Sequence, residues 1–344
     1  MKPIVAITMG DPAGIGAEIT VKALCNRKIS DICVPVVVGD YEAIIDAVRF
    51  TNSNVTVNVI KSAAEAVDMH GTINLINLGL LSSGGWEYKK VSAECGKAAY
   101  LYIEKAIHMA LEGEVSAVIT GPLNKEALNL GGYHYSGHTE IFATLTNTEN
   151  YAMLLIGGGL RVIHVSTHVS MREACEKVKR ERVHTVIKLA YDAMRLIGIE
   201  KPRIAVAGLN PHCSENGLFG NEEELEITPA IEQAVGEGRD VEGPVSPDTV
   251  FVKAKAGQYD VVVAMYHDQG HIPLKLAGFK LDLQTKKYTS MAGVNCTVGL
   301  PIIRSSVDHG TAFGKAGEGR ANEESMVDAI KIGVQMASNS CISH

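Results

Sequence analysis

Tyr259-Asp260-Val261-Val262-Val263-Ala264-Met265-Tyr266-His267-Asp268-Gln269-Gly270-His271 is the stretch that decides the fold. Its first half is a continuous β-branched apolar run. A strand is apolar on both faces only where both faces of its sheet are covered, so the run predicts a buried strand of a parallel sheet. The histidines then sit where that strand spills into its loop, the edge at which α/β proteins place their chemistry. Two other strand-like runs end in the same way: Leu160 to Thr167 delivers His168, and Arg203 to Pro211 delivers His212. Imidazoles at three strand ends can converge on one divalent ion such as zinc, manganese, cobalt or nickel. Taken singly, each is equally a hydrogen-bonded histidine at a strand end. Asp268, directly after His267, can orient the ring or join the coordination sphere. His271 follows in the same loop, and the remaining histidines, His164 among them, fall inside regular patterns and read as structural or solvent-exposed.

With 344 residues, 46% hydrophobic and 21% charged, the chain can bury a substantial core in two domains or one large α/β unit. A net charge of -7 argues against a nucleic-acid-binding surface and leaves room for a local basic pocket that takes an anionic metabolite. The cysteines are scattered and form no Cys-x-x-Cys pair, which predicts a reduced, cytoplasmic protein without a disulfide framework or a thiolate zinc site. Nowhere do about 18 apolar residues run together, and the first residues lack a signal-peptide core, so neither a membrane span nor secretion is expected.

Elsewhere, Ile4 to Met9 reads as a strand and Gly10-Asp11-Pro12-Ala13-Gly14-Ile15-Gly16 as a tight turn into a helix. Such glycines can cradle a phosphate, and Asp40 closes the next strand where a ribose-binding acid would sit. The spacing is nevertheless not Gly-x-Gly-x-x-Gly, and a plain strand-to-helix turn is the simpler reading. Ser92 caps a long helix, and Val115 to Thr120 is a strand ending in the polar turn Gly121 to Lys125. Thr139 reads as a helix N-cap, and Tyr151 to Ser166 as a β-hairpin about Gly157-Gly158-Gly159. Met171 to Ile197 and Glu222 to Val235 read as helices, and Lys280 to Met291 as a loop. Asp248 is either an N-cap or an active-site acid. Lys275, Asn295 and Arg304 are handles for a phosphorylated or carboxylated substrate, or ordinary surface polarity. Asp308 to Gly317, rich in small residues, could accommodate a flat cofactor ring.

Taken together, IVAITMGDPAGIG, GPLNKEAL, SGHTE, VSTH, LNPH, PDT, MYHDQG and SSVDHGTAF, in that order, resemble the PdxA family, the 4-hydroxythreonine-4-phosphate dehydrogenases and their paralogues, essentially end to end. The resemblance implies a two-domain α/β/α fold similar to isocitrate and isopropylmalate dehydrogenases, with the active site in an interdomain cleft at a dimer interface. It divides the chain into residues 1–130 plus 300–344, carrying the cofactor loop, and 131–299, carrying metal and substrate residues and dimer contacts. It implies one divalent metal (Zn, Mg, Mn or Co) on His168, His212 and His267. His138, Thr139, Lys275, Asn295 and Arg304 would contact substrate. NAD would lie against Gly310, Thr311, Ala312 and Asn322, since DHGTAFGKAGEGRAN is similar to an adenosine-binding loop. A homodimer in which both subunits build each site is expected. HDQGHIPLK, with its His271, looks like the branch that acts on 4-phospho-D-threonate or 4-phospho-D-erythronate, and Lys280 to Ala292 looks like an insertion.

The chemistry implied is oxidation of the C3 hydroxyl of a 4-phosphorylated four-carbon acid, then loss of carbon dioxide to give dihydroxyacetone phosphate. Asp248 or a metal-bound water would be the base, Asp268 would support the metal-bound ring, and Lys275 and Arg304 would hold the anionic groups. The alternatives are 4-hydroxy-L-threonine 4-phosphate as substrate, a histidine-metal hydrolase, and a non-catalytic metabolite-binding protein.

Overall fold

The computed structural model describes residues 2–282, 287–291 and 293–340, with side chains outside 280–292. In chain order the strands are β1 (Ile4–Thr8), β2 (Val34–Gly39), β3 (Thr56–Ile60), β4 (Thr72–Asn77), β5 (Ala117–Thr120), β6 (Ala152–Gly157), β7 (Leu160–His164) and β8 (Arg203–Ala207). They continue with β9 (Asp240–Val245), β10 (Val261–Ala264), β11 (Phe279–Asp282), β12 (Lys287–Met291), β13 (Val294–Val298) and β14 (Arg304–Val307). The chain divides into two units, one comprising the residues up to Glu149 with those from Leu300, the other Asn150–Gly299. Among the described residues, no helix is long and apolar enough to cross a membrane.

In the first unit the strand order is β3-β4-β2-β1-β5-β14, and each of these neighbours pairs in parallel. β1, β5 and β14 therefore send their following loops out of one edge, side by side. In the second unit the order is β13-β6-β7-β10-β8-β9, antiparallel from β13 to β7 and parallel from β7 to β9. β6 and β7 form the expected hairpin, with Gly157 opposite Leu160. Gly158 and Gly159 turn the chain at φ 58° and 79°, a two-residue geometry that L side chains enter only at a cost.

β10 is the buried strand that its sequence predicts. Val261 to Ala264 are all at most 1% exposed. Val262 and Ala264 lie in one core cluster with Phe251 and Leu274, while the helix Arg180–Leu196 also packs on the strand. Cover on both faces is what lets every position be apolar, and each buried valine contributes about 1.5–3 kcal/mol. In the first unit Asp40 is spent inside the protein rather than on a ribose. Its Oδ1 accepts the Leu80 N–H at 2.7 Å and its other oxygen accepts the hydroxyl of fully buried Tyr102.

Three expectations are corrected. Residues 131–149 belong with the first unit, because Tyr133 and Tyr135 stack on Tyr100 (ring centroids 3.7 and 6.0 Å) and the helix His138–Leu145 packs on the helix Ala93–Leu111 that carries Tyr100. Such long-range contacts leave no local pattern. Lys280 to Met291 is not simply a loop, since β11 and β12 pair antiparallel with Phe279 opposite Met291. Phe279 and Leu281 alternate with Lys280 and Asp282, a period-two signal that charged composition masks. Residues 283–286 and 292 of that stretch lie outside the described residues. Finally, the helical region Met171 to Ile197 is two helices, Met171–Lys177 and Arg180–Leu196, and the one from Glu222 opens with a π-helical turn, Glu223–Ile227.

Candidate active site

β7, β10 and β8 are parallel neighbours, so the segments carrying His168, His267 and His212 leave the same edge of the second unit's sheet, with β10 in the middle. After β10 the backbone is extended at Tyr266 and turns at once into the helix His267–Gly278. That helix puts His267, His271 and Lys275 four residues apart and hence on one face. The His267 and His271 rings stack with centroids 3.6 Å apart, and His168 lies 5.4 Å from His267. His271 Nδ1 donates to the carbonyl of His267 at 2.9 Å, and behind it lies His164, 4.8 Å away.

Burial pushes the His271 imidazole down to about 4, with His267 adding to the effect, and pushes His164 down to about 3, with His271 adding. Both rings are therefore neutral at pH 7. Asp268 Oδ1 lies 2.6 Å from His267 Nδ1, the arrangement by which a carboxylate fixes a ring and leaves Nε2 as the metal-facing nitrogen. A cavity of about 550 Å³ opens here, lined by Thr167, His168, Glu173, Tyr266, His267 and Asp268 among others.

His212 is placed differently. It begins a run of residues with positive φ, His212 to Asn216, in the turn that follows β8. Each such L residue costs roughly 1 kcal/mol or more, so the turn persists only because its surroundings over-determine it. Glu223, 4% exposed, supplies that constraint. It accepts the backbone N–H groups of Leu209 (2.8 Å) and Asn210 (2.7 Å), the Asn210 side-chain amide and the Ser214 hydroxyl. Burial alone would raise the Glu223 carboxyl, but the Ser214 and Asn210 hydrogen bonds outweigh it and hold the group below its ordinary range. Among the described residues no group of three His, Cys, Asp or Glu side chains is assembled for a metal. His168 and His267, the latter oriented by Asp268 beside an open cavity, fit a divalent cation. His212 is not brought to them.

Lys275 lies in the last turn of its helix with its ammonium 5.8 Å from the Phe279 ring, and half-buried Asn295 sits on β13 opposite Leu155. Asp248 is exposed and its Oδ1 accepts the Ser246 hydroxyl at 2.7 Å. The helix it was expected to cap, Val250–Lys255, has Thr249 at its N-cap, so the capping reading fails.

The first unit holds a buried basic group. Arg304, 2% exposed, donates from Nη2 to Thr120 Oγ1 at 2.9 Å and lies 5.5 Å from the Phe142 ring. His138 opens the helix His138–Leu145 and hydrogen-bonds the backbone of Gly121. Burial, then the nearby Arg304 charge, holds its imidazole well below the usual histidine range, and its buried Nε2 has no partner among the described residues. A buried guanidinium is a setting an anion satisfies, while the neutral His138 ring, its one N–H given to Gly121, leaves Nε2 as an acceptor for a ligand hydroxyl. Thr139 sits half-buried in the same first turn, and the N-cap is Gly137 rather than Thr139.

The loop expected to take a cofactor follows β14. At Gly310 and Gly314 a Cβ would meet nothing within 4 Å, and neither has a left-handed φ, so no contact within the chain demands glycine there. Open space against bare backbone fits a flat ring. Thr311 is buried, Ala312 takes the left-handed conformation (φ 44°), and Asn322, just before the closing helix, accepts the Glu324 N–H at 2.7 Å. The Gly10–Gly16 turn has no N–H groups to offer a phosphate at Asp11, Ala13, Gly14 or Ile15, because Pro122, Asp11 and Thr311 accept them all.

Sequence reasoning passed over His164, Glu223 and Thr120. His164 carried a signal, as the last residue of β7 facing the glycine between His267 and His271: a Cβ at Gly270 would lie 2.4 Å from its Nε2. Glu223 and Thr120 act through contacts made across the fold.

The family model described as pyridoxal phosphate biosynthetic protein PdxA matches residues 31–333. The chain is 50% identical over 335 residues to the D-threonate 4-phosphate dehydrogenase of Salmonella typhimurium, covering 97% of this chain and 98% of the relative. It is 48% identical over 339 residues to the protein of the same name from Pectobacterium atrosepticum, covering 98% and 100%. A crystal structure of 4-hydroxythreonine-4-phosphate dehydrogenase from Klebsiella pneumoniae superposes with a TM-score of 0.85 at 45% identity, covering 98% of each chain. With the ordered motifs, the parallel α/β units and these full-length likenesses on the page, the chain belongs to the PdxA family of dehydrogenases.

Proposed function

We propose that this enzyme oxidises the C3 hydroxyl of D-threonate 4-phosphate or its erythronate epimer with NAD, using a divalent metal, and that the resulting 3-keto acid loses carbon dioxide to give dihydroxyacetone phosphate. The observation that carries the reading is the pair His168 and His267 beside an open cavity, with Asp268 already holding the His267 ring. The substrate follows the relatives named D-threonate 4-phosphate dehydrogenase.

His168 and His267 would hold the cation, which when bound supplies Lewis-acid polarisation of the substrate's oxygens. Neutral His271, stacked on His267 and tied to its carbonyl, keeps that ring in place without adding charge. Arg304 receives an anionic group of the substrate, for which a buried guanidinium is suited, and neutral His138 accepts from a substrate hydroxyl on Nε2. Lys275, Thr139 and Asn295 add further contacts. Gly310, Thr311, Ala312 and Asn322 would seat the adenosine half of NAD, which when bound would supply the hydride acceptor. The C3 hydroxyl proton goes to Asp248 or to water. The balance is one hydride to NAD, the C3 hydroxyl proton to the base, one carbon dioxide released, and one proton returned to C2 of the enolate to complete dihydroxyacetone phosphate.

Purified protein with NAD, each candidate metal and either D-threonate 4-phosphate or D-erythronate 4-phosphate should form NADH, and a chelator should stop it. The amino acid 4-hydroxy-L-threonine 4-phosphate, named by the Klebsiella relative, is the second substrate to assay. Preferential turnover of it would replace the sugar-acid reading, and NADH from none of the three would remove the dehydrogenase proposal altogether.

A further inference from the structure

The Gly10–Gly16 turn, having no phosphate to hold, has another partner. The helix Gly16–Leu24 that it opens carries Glu18 and Lys22 one turn apart and therefore on one face. Glu18, 1% exposed, accepts the backbone N–H of Ala321 on Oε1 at 2.6 Å. Lys22 donates to the carbonyl of the same Ala321 at 2.5 Å and to that of Gly319 at 3.2 Å, with its ammonium 3.6 Å from Glu18. One acidic and one basic side chain thus hold both the donor and the acceptor of a single residue some 300 positions away, which fixes its register as well as its place.

The turn itself grips the other end of the same loop. The Ile15 N–H donates to the carbonyl of Thr311 at 3.1 Å. A Cβ on Gly14 would lie 2.9 Å from Thr311 Cβ and 3.0 Å from its carbonyl oxygen. Gly10 and Gly16 are glycines for different reasons, a left-handed φ of 79° at the first and the Met9 carbonyl 2.0 Å from the would-be Cβ at the second. Only Gly14 is small on account of Thr311.

We propose that this turn and helix are the seat of the cofactor loop, and that Gly14, Glu18 and Lys22 are positioning residues that set Thr311 and Asn322 at the spacing an adenine dinucleotide requires. The proposal rests on the reading of 308–322 as the NAD loop. The two gripped residues are Thr311 itself and the immediate neighbour of Asn322. Between the grips lie left-handed Ala312 and Gly314, in a short turn, Phe313–Lys315, tied by the Lys315 N–H to the Ala312 carbonyl at 2.9 Å and by Arg320 to the Gly314 carbonyl at 3.0 Å. A buried carboxylate is an expensive way to fill space that a leucine would fill, and its use here on a backbone N–H argues for geometry rather than bulk.

The test is calorimetric titration of the full-length protein with NAD and with ADP-ribose, no substrate being present. Lys22→Met keeps the stem of a partly exposed side chain and removes its donors. Gly14→Ala adds the one methyl that Thr311 must yield to. Each should weaken both ligands about tenfold, the change that accompanies loss of one hydrogen bond to a charged group, and each should raise KM for NAD while kcat at saturating NAD stays within about twofold. Glu18→Gln, which keeps an acceptor for Ala321, should retain more affinity than Glu18→Ala. If Glu18→Ala fails to fold, Lys22→Met and Gly14→Ala decide the matter alone. Wild-type affinity in both of those would overturn the seat while leaving the cofactor reading intact. A wild-type protein that binds neither NAD nor ADP-ribose would overturn the cofactor reading, and the seat with it.

Discussion

Replacing Asp268 tests the metal half of the account without touching a proposed ligand. Its Oδ1 lies 2.6 Å from His267 Nδ1, and its side chain is 66% exposed. A hydrogen bond to a charged group contributes about 1.5–3 kcal/mol when shielded from water, and exposure of this degree reduces it to roughly 1 kcal/mol. Because 1.4 kcal/mol is a factor of ten, Asp268→Asn, which keeps an acceptor and drops the charge, should weaken zinc or manganese binding about fivefold. Asp268→Ala leaves the ring free to turn and should cost about tenfold, the lower end of the 10–100-fold range known for partners behind a metal-bound histidine. The assay is calorimetric titration with a competing chelator, with thermal unfolding of the metal-free variants as a control for folding. Affinities within twofold of wild type in both variants would refute the idea that this carboxylate orients a ligand.

Other consequences follow from single residues. Arg304→Lys should raise KM for the phosphorylated acid at least tenfold and leave NAD affinity unchanged, because a point charge does not replace a planar, buried guanidinium; equal KM values would remove Arg304 from the anion pocket. His164 is neutral when folded, with its imidazole near 3 instead of the usual 6.5, so the unfolded chain takes up the extra proton first. Stability should therefore be full above about pH 6.5 and fall as the pH drops toward 3. Urea unfolding should show a shallower loss in His164→Gln, and an identical pH slope would exclude His164 as a contributor. In the hairpin, Gly158→Ala should destabilise far more than Gly159→Ala, since the first would place a Cβ 2.5 Å from the Ala277 backbone and the second meets open space at a similar φ. Equal unfolding midpoints would contradict that packing.

Much of this arrangement is legible in the sequence because it is local. The valines of β10 announce a strand covered on both faces, the glycines after β6 announce a hairpin, and strand ends locate His168 and His267. What was hidden is whatever depends on residues far apart meeting. His271 joins the cluster through a helix that starts at His267, a register visible only once that start is known. His212 sits in a left-handed turn that no propensity predicts, held by Glu223, which lies outside every recognisable motif. The stacking of Tyr133 and Tyr135 on Tyr100 assigned residues 131–149 to the first unit against the expected boundary, and Lys280 to Asp282 concealed an alternating strand behind its charges.

The most direct test of the central claim is an anomalous difference map from crystals of this protein grown with zinc. The account predicts a single strong peak about 2.1 Å from a ring nitrogen of both His168 and His267, with His212 as the third donor if its turn moves on binding. A fully active enzyme whose metal peak lies away from both rings, or that has no peak at all, would contradict it.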